Sequence, residues 1–173
     1  IDEDTMLVVA SAPSYAHGVV DPVPAIAAAA AARGVRCHVD ACIGGWVLPY
    51  AARLGRPVTP WTFAVDGVTS ISMDTHKYAY APKGTSLLLH RSPALRKPQY
   101  FASADWPGYT MLNSTLQSTK SGGPLAGAWS VMQALGNDGY VALADQTFET
   151  VDRIIAGVGG IDGLALAVPP DST

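Results

Sequence analysis

Short apolar segments alternate with helical patterns along the first 91 residues, and this alternation constrains the fold most strongly. A helix is predicted over 21–34, with Asp21 as its N-cap and Gly34 as its C-cap, and a second helix over 45–55. Between and after them lie four predicted strands, at 6–11 (MLVVAS), 36–41 (RCHVDA), 67–72 (GVTSIS) and 85–91 (TSLLLHR). Short strands that alternate with helices are typical of a mainly parallel sheet with helices on both faces. The sequence therefore predicts an α/β fold.

The second half of the chain is predicted to be loop-rich first and helical afterwards. Residues 92–124 contain many glycines and prolines and are predicted as loops. Apolar residues then recur at intervals of three and four over 125–136 and 138–158, which predicts two helices. With 173 residues and 49% hydrophobic content, the chain is long enough for one domain with a sizeable core.

Charge and composition exclude several classes of function. A net charge of −3 gives no basic surface for nucleic acid. No apolar run approaches the ~20 residues that a membrane-spanning helix needs. An extended segment would point Cys37 and Cys42 to opposite faces, so a local disulfide is unfavourable and a reduced, cytoplasmic setting is expected. Neither a CxxC spacing nor a second ligand pair accompanies these cysteines, so no metal site is predicted.

Polar residues gather where the predicted strands end. Carboxyl ends of parallel strands meet at one edge of a sheet, so segments 11–18, 40–45 and 72–77 are expected around one pocket. Asp40 ends the second strand, and the glycines after it, Gly44 and Gly45, allow a backbone or a ligand to approach closely. Two interpretations of Asp40 are open. It caps the helix that begins near Gly45, or it pairs with a cationic ring nitrogen and keeps that nitrogen protonated.

Lys77 follows the third predicted strand and is next to His76. Partial burial and neighbouring cations would lower the pKa of its amine and make it a nucleophile toward a carbonyl group. The alternative is a surface lysine whose charged end reaches solvent. An acid that binds a pyridinium nitrogen and a lysine that forms a Schiff base are together what pyridoxal phosphate requires. Asp40 and Lys77 therefore predict this cofactor.

Over residues 7–158 the chain resembles the pyridoxal-phosphate-dependent decarboxylase group of fold-type I enzymes. Four segments carry the resemblance: APSYAHGVVDPVP, CHVDACIGGWVLPY, VDGVTSISMDTHKYAYAPKGTSLLLHR and SGGPLAGAWSVMQALGNDGYVALA. HVDA and HK indicate only the broad group, whereas GVTSISMDTHKYAYAPKG, with HGVVDPVP and GNDGYV, is similar to the sphingosine-1-phosphate lyases in particular. The resemblance implies that 1–158 form part of the large cofactor-binding domain without its N-terminal part. Residues 159–173 would begin the connection to a small C-terminal domain.

The same resemblance implies roles for individual residues, with Lys77 carrying the cofactor as a Schiff base. The other residues implied to bind the cofactor are Asp40 at the pyridine nitrogen, Ala41 against the ring, His76 and Thr75 at the phosphate, and Ser14 and His17 near the ring hydroxyl or the substrate. Lys83, with Tyr78 or Tyr80, would handle the substrate's phosphate and the proton transfers, although an exposed loop lysine is the alternative for Lys83. Lys120 stands where the lyases carry an arginine, so a phosphate contact across a dimer interface would be a point charge and not a bidentate pair.

The sequence supports three hypotheses of function. The first is a carbon–carbon lyase that cleaves a phosphorylated long-chain amino alcohol, in a retro-aldol step, to a fatty aldehyde and phosphoethanolamine. The second is an amino-acid decarboxylase on the same scaffold, for which an arginine that binds the substrate carboxylate would be diagnostic. No arginine falls in a matched pocket motif.

The third hypothesis is an inactive fragment or a non-catalytic binding module. It is favoured because the family's phosphate cradle and its ring-stacking residue would precede residue 1. The resemblance also implies a homodimer with shared active sites, and it leaves open a membrane anchor ahead of residue 1.

Overall fold

The computed structural model describes residues 1–117 and 119–172. Four strands form one sheet in the order β1–β2–β3–β4. Their bounds are Leu7–Ser11, Arg36–Asp40, Val68–Asp74 and Ser86–His90, so the four predicted strands are confirmed. β1, β2 and β3 are parallel, while β4 runs antiparallel to β3. The reason for the antiparallel strand is the short connection between β3 and β4, since a parallel return needs a crossover of a dozen or more residues.

The helices follow the predicted order with shifted ends. α1 covers Val23–Ala31, and α2 covers Leu48–Arg53 after a 3₁₀ turn at Gly44–Trp46. Asp21 is not the N-cap of α1, and that prediction is wrong. Pro22 occupies the cap position without a side-chain hydrogen bond, while the Asp21 carboxylate accepts a hydrogen bond from the Ser11 amide at 2.7 Å. The Asp21 carboxylate therefore connects the start of α1 to the end of β1.

The region predicted as loops contains some short regular structure. α3 covers Pro93–Arg96, and a 3₁₀ turn follows at Lys97–Gln99. β5 (Phe101–Ser103) and β6 (Met111–Asn113) then form a separate antiparallel pair. Three-residue strands give too little periodicity to be recognised from sequence.

α4 runs over Gly123–Gly159 and is interrupted at Gly136, whose φ of 57° and ψ of −171° are not helical. This break agrees with the two helices predicted on either side of it. Gly136 reaches the left-handed region at little cost because it has no Cβ. Among the described residues, no helix combines the length and the apolar character needed to cross a membrane.

One face of the sheet packs against α1, α2 and the second half of α4. Ala10, Val39 and Ile71 are paired in register across three strands, and all three are buried in this core. Side chains alternate along each strand, so the next row, Ser11–Asp40–Ser72, points to the opposite face. The alternation therefore separates an apolar core from a polar face.

The glycine pair after β2 provides close backbone packing. A Cβ on Gly44 would lie 2.1 Å from the carbonyl oxygen of Ala12, and one on Gly45 would lie 2.6 Å from Cγ of Met73. The sequence left open whether a backbone or a ligand approaches these glycines. At Gly44 it is the backbone of Ala12.

We expect Gly44→Ala to lower the free energy of unfolding by about 3 kcal/mol, because the added methyl group overlaps a backbone atom that cannot move away alone. Urea unfolding of the protein that contains this chain measures the change. Gly157→Ala is the matched control, since nothing lies within 4 Å of a Cβ there, and it should stabilise α4 by about 0.5 kcal/mol. Equal stability of Gly44→Ala and the unchanged protein would contradict the packing argument.

Candidate active site

Asp40 ends β2 between Ser11 of β1 and Ser72 of β3. One carboxylate oxygen, Oδ1, accepts hydrogen bonds from the Cys42 amide at 3.0 Å and from the Ser72 hydroxyl at 3.2 Å. The 3₁₀ turn that follows has Ile43 at its N-cap position and no side-chain cap. The capping interpretation of Asp40 is therefore wrong, and its carboxylate remains on the polar face of the sheet.

Lys77 lies in the turn after β3 and is held by two neighbours. Its Nζ is 3.0 Å from Asp74 Oδ2 and 2.9 Å from the Cys42 sulfur. Burial by itself would lower the pKa of Lys77, but the hydrogen bonds to Cys42 and Asp74 and the negative charge of Asp74 outweigh burial, so the pKa is raised. The prediction of a lowered pKa is wrong because the sequence did not reveal these partners.

Cys42 connects the two central residues of the site. Its amide donates to Asp40, and its sulfur accepts from Lys77. Burial is the main reason that the pKa of the Cys42 thiol is raised, so the group is a neutral thiol near pH 7. Ala41, by contrast, is completely buried in the core, and the geometry does not support its predicted contact with a cofactor ring.

Sequence reasoning missed Cys42, Asp74 and Ser72. A usable signal existed for two of them, because Ser72 and Asp74 are two positions apart on one strand. Residues two apart share a face in extended backbone.

His76 and Thr75 differ in what they can offer to a phosphate. His76 Nε2 is 3.5 Å from Asp74 Oδ2, whereas its Nδ1 is buried and has no hydrogen-bond partner within the part of the chain that the structure describes. Thr75 is 2% exposed, and its hydroxyl already donates to the Thr85 carbonyl at 2.6 Å. Only His76 therefore has an unused polar atom.

Among the described residues, no side-chain hydrogen bond or ion pair joins the remaining predicted site residues to this cluster. Ser14 is partly buried and His17 exposed, in the loop that follows β1. Tyr78 and Tyr80 line a cavity of about 440 Å³ against Leu143, Thr147 and other residues of α4. Lys83 is exposed. Lys120 lines a different cavity, between residues 84–87 and the start of α4.

Comparison with known proteins identifies relatives along the whole chain. No protein-family model matches. A sphingosine-1-phosphate lyase of Arabidopsis thaliana is 41% identical over 173 residues, which are 100% of this chain and 32% of that protein. The solved structure of a Burkholderia pseudomallei sphingosine-1-phosphate lyase is 42% identical with a TM-score of 0.92, and the match covers 98% of this chain and 39% of that one. The resemblance to the sphingosine-1-phosphate lyases is confirmed.

A second relative comes from the decarboxylases. A probable L-tyrosine/L-aspartate decarboxylase of Methanoregula boonei is 35% identical over 172 residues, which are 99% of this chain and 45% of that protein. Together with the mainly parallel sheet, the structural likeness confirms the predicted α/β fold of the fold-type I enzymes. The chain spans about a third of the length of the lyases that it matches.

The residues present suit pyridoxal phosphate. Asp40 offers a carboxylate oxygen, Lys77 a primary amine, and His76 a buried nitrogen that has no partner among residues 1–117 and 119–172. These three groups match a ring nitrogen, an aldehyde and a phosphate, which are the three polar parts of that cofactor.

We expect Asp74→Asn to lower the pKa of Lys77, because the amide removes the negative charge that favours the ammonium form. Covalent labelling of Lys77 by a small aldehyde and cyanoborohydride, followed by mass spectrometry over a range of pH, measures the change, and labelling should reach its midpoint at lower pH. Asp152→Asn is the control, since Asp152 pairs with Arg56 elsewhere on the molecule. An unchanged midpoint in Asp74→Asn would show that Asp74 does not set the charge of Lys77.

Proposed function

We propose that this chain forms part of the catalytic domain of a pyridoxal-phosphate-dependent carbon–carbon lyase. The substrate would be a phosphorylated long-chain amino alcohol, cleaved to a fatty aldehyde and phosphoethanolamine. The observation that carries the proposal is the connection of Asp40 and Lys77 through Cys42 at the ends of β2 and β3. The identity to the Arabidopsis and Burkholderia lyases supports lyase chemistry.

The chemistry that bound pyridoxal phosphate supplies is an electron sink for the bond that breaks next to the amine-bearing carbon. Asp40 would hold the proton on the ring nitrogen by charge pairing. Lys77 would provide the amine that attaches to the aldehyde, and Nδ1 of His76 would meet the phosphate. Since Lys77 is paired with Asp74 at 3.0 Å, its amine has to lose a proton before it attacks a carbonyl group.

Cleavage between carbons 2 and 3 also requires a base that removes a proton from the 3-hydroxyl of the substrate. Lys77 Nζ is a basic group in the turn after β3, and its return to the free amine would allow it to accept that proton. Tyr78 and Tyr80 line the cavity against α4, which favours Lys77 over either tyrosine. Lys83 and Lys120 are both exposed and would act, if at all, as point charges toward the substrate's phosphate.

Amino-acid decarboxylation is the second candidate, favoured by the identity to the Methanoregula protein. That reaction needs a cation for the substrate carboxylate. Several arginines already have partners away from the site: Arg53 on Asn137, Arg56 on Asp152, and Arg91 on the carbonyls of Phe63, Val65 and Val68. Because these arginines bind partners away from the site, they do not supply that cation, which favours the lyase over the decarboxylase.

The proposal extends to the assembly. Residues 1–158 would be part of the large cofactor-binding domain, and 159–173 would begin the connection to a small C-terminal domain; Thr173 lies outside the described residues. Seven large apolar side chains between residues 101 and 129 are at least half exposed and support a homodimer, namely Phe101, Trp106, Tyr109, Leu112, Leu116, Leu125 and Trp129. The free thiols Cys37 and Cys42 agree with a reducing, cytoplasmic setting.

Reduction with borohydride tests the cofactor assignment. The protein that contains this chain, loaded with pyridoxal phosphate and reduced, should carry the cofactor on Lys77, as located by peptide mass spectrometry. Lys77→Arg should carry none at this position. An adduct on another lysine would contradict the assignment, and a protein that takes up no cofactor would favour a non-catalytic module.

Product analysis then separates the two reactions. We expect release of a long-chain aldehyde from a phosphorylated sphingoid base and no carbon dioxide from amino acids. Release of carbon dioxide from tyrosine or aspartate at a comparable rate would favour the decarboxylase instead.

A further inference from the structure

His38 lies on the same face of the sheet as Asp40, two residues earlier on β2. The strand pairing aligns Val9, His38 and Ser70 across three strands and, two residues further along each strand, Ser11, Asp40 and Ser72. His38 Nδ1 is 2.8 Å from the Ser70 hydroxyl, and its Nε2 is 3.1 Å from the Ser72 hydroxyl. Ser72 in turn bonds Asp40 Oδ1 at 3.2 Å. These four side chains, Ser70, His38, Ser72 and Asp40, form a continuous set of hydrogen bonds that we name the relay.

The chemistry of the groups fixes the direction of the relay. An ionised carboxylate only accepts hydrogen bonds, so the Ser72 hydroxyl donates its single proton to Asp40. The oxygen of Ser72 then accepts from the Nε2–H of His38. A neutral imidazole carries its acceptor on the other nitrogen, so Nδ1 accepts from the Ser70 hydroxyl. Every donor in the relay therefore points toward Asp40.

His38 must be uncharged for this arrangement to hold. Burial lowers the pKa of His38, the negative charge of Asp40 opposes this, and His90, which pairs with Ser70 from β4, lowers the pKa further, with a lowered pKa as the result. The imidazole is therefore neutral near pH 7. A neutral His38 donates a hydrogen bond toward Asp40 without offering a second cation that would compete for the carboxylate.

We propose that His38 is a positioning residue which, through Ser72, keeps the Asp40 carboxylate oriented toward the ring nitrogen of the cofactor. The inference rests on the proposed function, since it assigns Asp40 to that nitrogen. Both hydrogen bonds that the described residues give to the carboxylate fall on Oδ1, from Cys42 and Ser72. Oδ2 is thus the oxygen left for the ring N–H.

The test uses pyridoxal phosphate labelled with ¹⁵N in its ring, bound to the protein that contains this chain, and follows the ring nitrogen by NMR. In Ser72→Ala and His38→Leu the resonance should move toward that of the unprotonated ring, and cofactor affinity should fall roughly three- to tenfold, as for a lost net hydrogen bond. His38→Gln keeps a donor and an acceptor, so it should retain most of the ring protonation and most of the cofactor affinity. A purely structural role would not move the protonation of the ring.

Thr69→Val is the matched control. Thr69 lies on the same strand as Ser70, and its hydroxyl donates to the Cys37 carbonyl at 2.7 Å, outside the relay. An unchanged resonance in Ser72→Ala and His38→Leu would overturn the inference, as would an equal shift in Thr69→Val. If circular dichroism shows that His38→Leu does not fold, the inference is tested on Ser72→Ala and His38→Gln instead. Failure of the unaltered protein to bind cofactor at Lys77 would instead contradict the proposed function.

Discussion

The parallel register of β1, β2 and β3 is the constraint on which the candidate site depends. It aligns Ser11, Asp40 and Ser72 on one face of the sheet, while the preceding row, Ala10–Val39–Ile71, is buried on the other. A slip of one residue in β2 would turn Asp40 into the core. An unpaired carboxylate there would cost several kcal/mol or force its protonation. The alternation of side chains that buries the apolar residues therefore also keeps the Asp40 carboxylate out of the core.

Backbone hydrogen bonds continue this register beyond the regular strands. The Ala12 amide donates to the Asp40 carbonyl at 2.8 Å, the Ala41 amide to the Ser72 carbonyl at 3.0 Å, and the Asp74 amide to the Cys42 carbonyl at 3.3 Å. These bonds hold the segments after the strands side by side. The side chains of Cys42 and Asp74 meet Lys77 because their backbones are tied together.

The sequence allowed the main elements to be predicted because each is encoded locally. Strands showed as short apolar runs, and the break in α4 showed as a glycine between two periodic segments. Asp40 and Lys77 were expected in one pocket because both follow parallel strands. The partners of Lys77 were not foreseen, since the contact with Cys42 depends on the lateral packing of two strand ends and not on spacing along the chain. Asp21 was misjudged for the same kind of reason: its carboxylate binds the Ser11 amide, ten residues away in sequence, and not the helix that it precedes.

The pair between Lys77 and Asp74 holds the amine in place more than it stabilises the fold. Burial alone would raise the pKa of Asp74, but hydrogen bonds from Ser86 and Lys77 and the Lys77 charge outweigh burial, so this pKa is lowered. The pKa of Lys77 is raised. The stability that the pair provides is therefore lost when the pH falls through the lowered pKa of Asp74 or rises through the raised pKa of Lys77. About a third of the Lys77 side chain is exposed, so solvent screens the attraction to roughly 1 kcal/mol or less. A contact this weak positions Nζ beside Cys42, yet it can be broken at little cost when the amine is needed for chemistry.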